Sequence, residues 1–409
     1  MKWLQQSEQL SIQTKPYNVI TVAEAKQIIS NNVIALSPVT LPILQARGKV
    51  VAADVFATVD IPAYPQSAMD GYAFAFDDRQ KELVIEGEMA AGSSSLIEVT
   101  RGKAIRIFTG APVPAGADTV VMQEKVRIEN GRLIIEDDKL QRNSNVRPVG
   151  SEIKAGELAL PNGTVLTAAA IGFLAGIGVT DVAVIPDPVI SLIVTGNELQ
   201  QPGKPLAYGQ VYESNSYSLT AALESLHLSL SNVYTAKDDP DELTATLQQA
   251  LNESDVVLLT GGVSVGEYDF VIQSAEKCGV KQQFHKIKQR PGKPLFFGTR
   301  NEKLVFGLPG NPSSVLTCFY EYVTEALAIQ TKRPLQVIEV QTVLAEDCKK
   351  APGLTHFQKA YYDGQTVLPL TEQESYKLNS FATANCLLVL EEEKEYRTND
   401  PVSIHLLPV

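Results

Sequence analysis

Cysteine is scarce in this chain. Four stand in 409 residues, at Cys278, Cys318, Cys348 and Cys386. They lie too far apart for a zinc ribbon or a disulfide framework, which points to a reduced cytoplasmic protein with buried thiols. Histidine is equally scarce. His227, His285, His356 and His405 have no metal-ligand spacing and read as structural. Long apolar runs are missing. The longest, residues 168–179, contains glycines and falls short of the ~18 residues of a membrane span. The opening MKWLQQSEQL has no apolar core for a signal peptide. Positive charge is short too: 35 Lys and Arg face 47 Asp and Glu, a net charge of −12. That balance argues against a broad nucleic-acid footprint but leaves room for a local basic pocket around a small anion.

What remains is the composition of a soluble globular protein, in a length that suits two to four domains. Up to about Arg47 the chain is helical in pieces. Thr21 and Glu24 have the spacing of a capping box, and Val22, Ala25, Ile28 and Ile29 recur at helical intervals. After residue 50, short β-like runs alternate with Gly/Pro turns. Asn130-Gly131 predicts a hairpin with a type I′ turn. LTAAAIGFLAGIGV, from Leu166, reads as a buried helix ending at Gly176 or Gly178. From Pro188, strands alternate with helices. This predicts a parallel sheet with helices on its faces and ligands beyond the carboxyl ends of its strands. From about Leu335, strand-like runs return and predict a small β-barrel or sandwich.

The loops at those strand ends carry the candidate chemistry. LLTGGVSVG, residues 258–266, brings Gly261, Gly262, Ser264 and Gly266 just past a buried strand, where backbone N–H groups can cradle a phosphate or pterin. It is neither a Walker A nor a GxGxxG motif, which disfavours a nucleotide hydrolase. GLPGNPSS follows another strand. Asn311 suits the N-cap and Pro312 the first helical position, with Pro309 before them. The N–H groups around Ser313 and Ser314 are expected to point out of the helix start towards an anion. KIKQRPGKP concentrates Lys286, Lys288, Arg290 and Lys293, and its Pro-Gly turn aims Arg290 and Lys293. Glu198, Asp238, Asp239 and Asp269 fall at strand ends, each alone more often a cap or turn residue. Together on one rim they suit a hard cation such as Mg²⁺. Asp70, in SAMDGYA, alone reads as a turn residue.

Eight motifs, in order and spanning about residues 60 to 320, resemble the molybdopterin molybdenumtransferases, relatives of the enzymatic domain of gephyrin. They are PQSAMDGYA, IRIFTGAPVPAGADTVVMQE, NVRPVGSEIKAGE, VTGNEL, SNSYSL, TGGVSVGEYDF, RPGKPLFFG and GLPGNPSSV. The resemblance implies a multidomain α/β protein. A discontinuous elongated domain (residues 1–56 and 154–187) would carry an inserted β-rich domain (57–153). An α/β molybdopterin-binding domain (188–334) and a C-terminal β-barrel (335–409) would follow. It implies a homodimer whose site lies between the α/β domain of one subunit and the inserted domain of the other, and the molybdopterin adenylyltransferase as a candidate partner. The implied substrates are adenylylated molybdopterin and molybdate. AMP leaves and molybdenum stays on the dithiolene, with Mg²⁺ as cofactor. Carried over by motif, Asp70, Thr109, Glu198 and Asp269 are the implied catalytic residues, and Asp70, Glu152 and Glu198 the implied metal ligands. Asp239, Gly261, Gly262, Ser264, Gly266, Arg290, Lys293, Pro309, Asn311, Pro312 and Ser313 would hold the substrate.

Three positions depart from the pattern, and so does the stretch QESYKLNS, where the family is Gly-rich. Glu152 stands where Asp is usual, Arg290 where Lys is usual, and His356 where Arg is frequent. The competing reading is a protein that binds the pterin or molybdate without turnover, or a scaffold. The retained acids favour the enzyme, and the chain has no long linker for a scaffold.

Overall fold

The computed structural model describes residues 19–94, 96–262 and 270–408. The chain divides into two compact units: Pro38–Val184 is one, and the segments on either side of it form the other.

In the unit Pro38–Val184, a six-stranded sheet runs in the order Thr119–Met122, Gly71–Phe74, Lys103–Ile107, Leu83–Met89, Arg132–Ile135 and Val126–Glu129. Its residues alternate between two small cores. Ala73, Ile105, Ile107 and Val120 face one side; Tyr72, Phe74, Ala104 and Val121 face the other. The expected hairpin is present. Asn130 and Gly131 both have positive φ, 49° and 76°, between strands in register. A smaller sheet pairs Val39–Pro42 and Val50–Val51 with Asp181–Ile185. The helix Ala168–Gly176 beside it ends at Gly176 as expected, but it is not buried. Leu174 is its buried residue, while Ala168, Ala169, Gly172, Ala175 and Gly176 are exposed. The run is apolar all round, so composition hid that one face of small residues stays uncovered.

In the other unit, four parallel strands lie in the order Leu230–Ala236, Ile190–Thr195, Val256–Thr260 and Lys303–Leu308. The antiparallel strands Pro294–Arg300 and Lys281–Lys286 extend them, so the sheet is mixed. Both faces are buried, which is why these strands read as unbroken apolar runs. Leu192, Val256 and Leu258 pack beneath the helices Asn215–Ser225 and Pro312–Cys318. Ile193, Val257 and Leu259 pack beneath Pro240–Glu253 and Phe270–Lys277. Full burial of each such side chain contributes about 1.5–3 kcal/mol.

The helix Val22–Asn32 joins the first of these cores through Ala25 and Ile29. It starts with the full Thr21/Glu24 capping box. The C-terminal strands Ile338–Leu344, Thr355–Tyr362, Thr366–Pro369, Cys386–Leu390 and Pro401–Leu406 close into a five-stranded barrel around Leu344, Ala360, Leu388 and Ile404. No helix of the described residues is long and apolar enough to cross a membrane.

Candidate functional site

The Gly-rich turns of the α/β sheet meet at its strand ends. Thr195, Thr260 and Leu308 end three adjacent strands. After Thr260 the backbone turns through Gly261 and Gly262, at φ of 85° and 65°. A Cβ on Gly261 would lie 2.5 Å from the Thr195 carbonyl oxygen, so only glycine fits there. Gly310, in the next loop, comes against Gly261: its own Cβ would lie 3.8 Å from the Gly261 Cα. Asn215 Nδ2 donates to the Gly310 carbonyl at 2.9 Å and holds that loop.

Three buried polar atoms stand around this junction without a hydrogen-bond partner among the described residues: Thr260 Oγ1, Ser313 Oγ and Asn215 Oδ1. Thr260 and Ser313 are each 1% exposed. Buried polar groups are otherwise nearly always paired, so three unpartnered atoms around one junction set it apart. Ser264, Gly266 and Asp269 lie outside the described residues.

The helix Pro312–Cys318 starts as expected, with Asn311 at the N-cap and Pro312 at the first position. Its N–H groups are not all open, however. Ser313 N–H donates to the Ser375 carbonyl at 3.1 Å, and Asn311 Nδ2 donates to Ser375 Oγ at 2.9 Å. Ser375 comes from the barrel, in a loop organised by Lys359. That side chain is 2% exposed, and its Nζ donates to the carbonyls of Glu372, Glu374 and Lys377. Neither Asn215, Ser375 nor Lys359 was singled out in the sequence, although Asn215 lies in the SNSYSL motif.

The strand-end acids serve several purposes. Asp239 Oδ1 accepts from the N–H groups of Asp241 and Glu242 and so caps Pro240–Glu253. Asp238 accepts from Asn197 N–H at 3.3 Å. Glu198 is exposed in the loop between them and the strand end. The basic turn is supported from below. Gln289 Nε2 donates to the carbonyls of Pro291 and Gly292, Tyr322 hydroxyl donates to Gln289 Oε1, and a Cβ on Gly292 would lie 2.4 Å from Cys318 Sγ. Arg290 and Lys293 project from this turn, both exposed. Gln289–Arg290 pairs with Thr355–His356, so the basic segment is also an edge of the barrel sheet.

In the unit Pro38–Val184, Asp70 is more than a turn residue. Its Oδ1 accepts from Thr109 N–H at 2.7 Å and from Thr109 hydroxyl at 2.8 Å. The Thr109 N–H first, then its hydroxyl, hold the Asp70 carboxyl below the usual range. Gly71 follows because its Cβ would lie 1.8 Å from the Val121 carbonyl oxygen. Glu152 lines a separate cavity of about 500 Å³ with Arg147, Tyr64 and Gln66. Among the described residues, no group of three or more His, Cys, Asp and Glu is gathered for a metal. Asp70, Glu152 and Glu198 are exposed carboxylates, and Asp70 keeps Oδ2 outside its bonds to Thr109. Their oxygen donors suit a hard cation such as Mg²⁺.

A mixed α/β sheet with paired glycine turns at its strand ends, followed by a closed five-stranded barrel, defines a multidomain α/β class of protein. Three family descriptions match successive segments: "MoeA N-terminal region (domain I and II)" over residues 20–178, "Probable molybdopterin binding domain" over 191–329 and "MoeA C-terminal region (domain IV)" over 341–407. A molybdopterin molybdenumtransferase of Haemophilus influenzae is 34% identical over 366 residues, covering 87% of this chain and 90% of that protein. One from Staphylococcus aureus strain Mu50 is 33% identical over 390 residues, covering 91% and 92%. The crystal structure of a molybdopterin biosynthesis MoeA protein from Pyrococcus horikosii superposes with a TM-score of 0.81 at 27% identity, covering 95% of this chain and 99% of that one. The chain belongs to the molybdopterin molybdenumtransferase (MoeA) family.

Proposed function

We propose that this protein is a molybdopterin molybdenumtransferase of molybdenum cofactor biosynthesis. It takes adenylylated molybdopterin and molybdate, releases AMP, and leaves molybdenum on the dithiolene. The observation that carries this reading is the Gly261/Gly310 cradle with its three unpartnered buried atoms. A pterin offers the ring N–H and carbonyl groups such atoms need. Gly261 and Gly262 supply the close backbone, and Pro309, Asn311, Pro312 and Ser313 the opposite wall; Ser264 and Gly266 are assigned to the substrate by their motif alone. Asp239 borders the site from the next helix start.

Arg290 and Lys293 meet the phosphates, Arg290 as a fixed fork and Lys293 as a point charge. Glu198 lines the pterin side, and Asp269 is assigned a catalytic role by its motif alone. Asp70, kept ionised by Thr109, orients the reacting oxyanion from the partner subunit of a homodimer. Mg²⁺, held by Asp70, Glu152 and Glu198, would neutralise charge on the phosphates and molybdate. The low cysteine content supports a cytoplasmic location, where the molybdopterin adenylyltransferase would hand over its product.

The test mixes the pure protein with adenylylated molybdopterin, Mg²⁺ and molybdate and follows AMP. Molybdate-dependent AMP release is expected. Tight pterin binding without AMP release would make this a binding protein instead.

A further inference from the structure

Ser67, in the SAMDGYA motif three residues before Asp70, is 0% exposed. A buried hydroxyl is costly unless its bonds are made. Both bonds of this one go to Met69: Oγ donates to the Met69 carbonyl at 2.6 Å and accepts from Met69 N–H at 3.4 Å. The hydroxyl thus closes a turn that ends immediately before Asp70. Alanine would occupy the same space with no hydroxyl to satisfy, so packing alone does not require serine. The backbone of the same residue is tied to the loop that carries Thr109. Ser67 N–H donates to the Ala111 carbonyl at 2.9 Å, and Gly110 N–H donates to the Ser67 carbonyl at 2.8 Å. Val113 N–H adds a bond to the Pro65 carbonyl at 2.8 Å. On the other edge, Gln66–Ser67 pairs with Val146–Arg147, and Ala68 N–H donates to the Asn145 carbonyl at 2.8 Å. The segment before Asp70 is therefore held along both edges, up to Met69, which is 41% exposed.

Asp70 and Thr109 lie on separate loops and are both exposed, so water competes for the two bonds between them. Their meeting depends on where the two backbones are set. Ser67 sets both. Its peptide groups fix the spacing of the loops, and its hydroxyl fixes the direction in which the chain enters Asp70. We propose that Ser67 is a positioning residue that holds Asp70 against Thr109, ready for the transfer before substrate arrives. Preorganised groups need no rearrangement at the moment of reaction, and small misplacements are costly in rate. The role in transfer rests on the catalytic reading of Asp70. The hold on Thr109 does not, and it can be measured without substrate.

Ser67→Ala deletes the hydroxyl and keeps the backbone bonds. AMP release is measured on the full chain with adenylylated molybdopterin, Mg²⁺ and molybdate. Exchange of the Thr109 amide is followed by NMR with neither Mg²⁺ nor substrate, and the thermal midpoint is recorded alongside. Ser67→Ala should lower kcat for AMP release about tenfold and leave KM for adenylylated molybdopterin within about twofold of wild type. In an Asp70→Ala background the same change should cost nothing further, because the hydroxyl acts through Asp70. The Thr109 amide should exchange about tenfold faster in Ser67→Ala, as it should in Asp70→Ala, where its acceptor is gone. Wild-type exchange at Thr109 in Ser67→Ala would overturn the proposal. So would a loss of AMP release that adds in full to that of Asp70→Ala. Near-normal AMP release in Asp70→Ala, with fast Thr109 exchange in Ser67→Ala, would instead remove Asp70 from the chemistry and leave Ser67 as the residue that holds it. If the wild-type protein releases no AMP, the exchange rates alone still decide whether Ser67 holds the pair.

Discussion

The Asp70 carboxylate accepts two hydrogen bonds from one residue, and both favour its ionised form. A depressed native pKa contributes stability above the ordinary carboxylate value, and that contribution fades as pH falls through the native value. Thr109→Val removes the hydroxyl but keeps the N–H. The Asp70 pKa, read by carboxyl NMR, should rise part of the way to the usual range; an unmoved titration would show that the hydroxyl is not involved. Asp70→Ala should lower AMP release by about a hundredfold or more while the circular dichroism and thermal midpoint stay near wild type. Near-normal turnover would remove Asp70 from the chemistry. Gly71 is constrained differently. Gly71→Ala drives a Cβ into the Val121 carbonyl and should cost more than about 3 kcal/mol in urea unfolding.

At the scale of elements, a buried ionic cluster ties three of them together. Glu321, in the π-helical turn Phe319–Val323, is 1% exposed. It meets Lys26 of the helix Val22–Asn32 at 3.0 Å and His405 of the strand Pro401–Leu406 at 2.6 Å. Burial raises the Glu321 carboxyl, but the His405 hydrogen bond and the Lys26 charge outweigh it, so the net shift is downward. Glu321 therefore supports stability above the ordinary carboxylate pKa, and the support is lost as pH falls through its native value. Glu321→Ala should cost about 3–5 kcal/mol, because His405 and Lys26 lose their shared partner. In Glu321→Gln the thermal midpoint should fall less steeply between neutral and acidic pH. A wild-type slope in that variant would remove Glu321 from the acid response.

For the whole molecule, the proposed site takes Asp70 from one subunit and Glu198 from its partner. Subunit mixing tests this without any structure of the dimer. Asp70→Ala and Glu198→Ala homodimers should each be inactive. Random mixing makes about half the dimers hybrid, each with one intact site, so about a quarter of wild-type AMP release should return. No recovery after verified exchange would place both acids of each site in the same chain.

The sequence by itself determined the local structures and the family. The Thr21/Glu24 cap, the Asn130-Gly131 turn and the Pro312 helix start follow from backbone preferences that act over a few residues. The doubly covered sheet was legible because burial on both faces leaves unbroken apolar strands. The order of eight motifs was enough for the family resemblance. Only tertiary structure decided the rest, because those contacts join residues far apart in the chain. Ser375 closes the helix start that Ser313 was expected to leave open, and Lys359 holds Ser375 there. Thr109 lies 39 positions from Asp70, yet its two hydrogen bonds turn a short acidic loop into a fixed, ionised carboxylate.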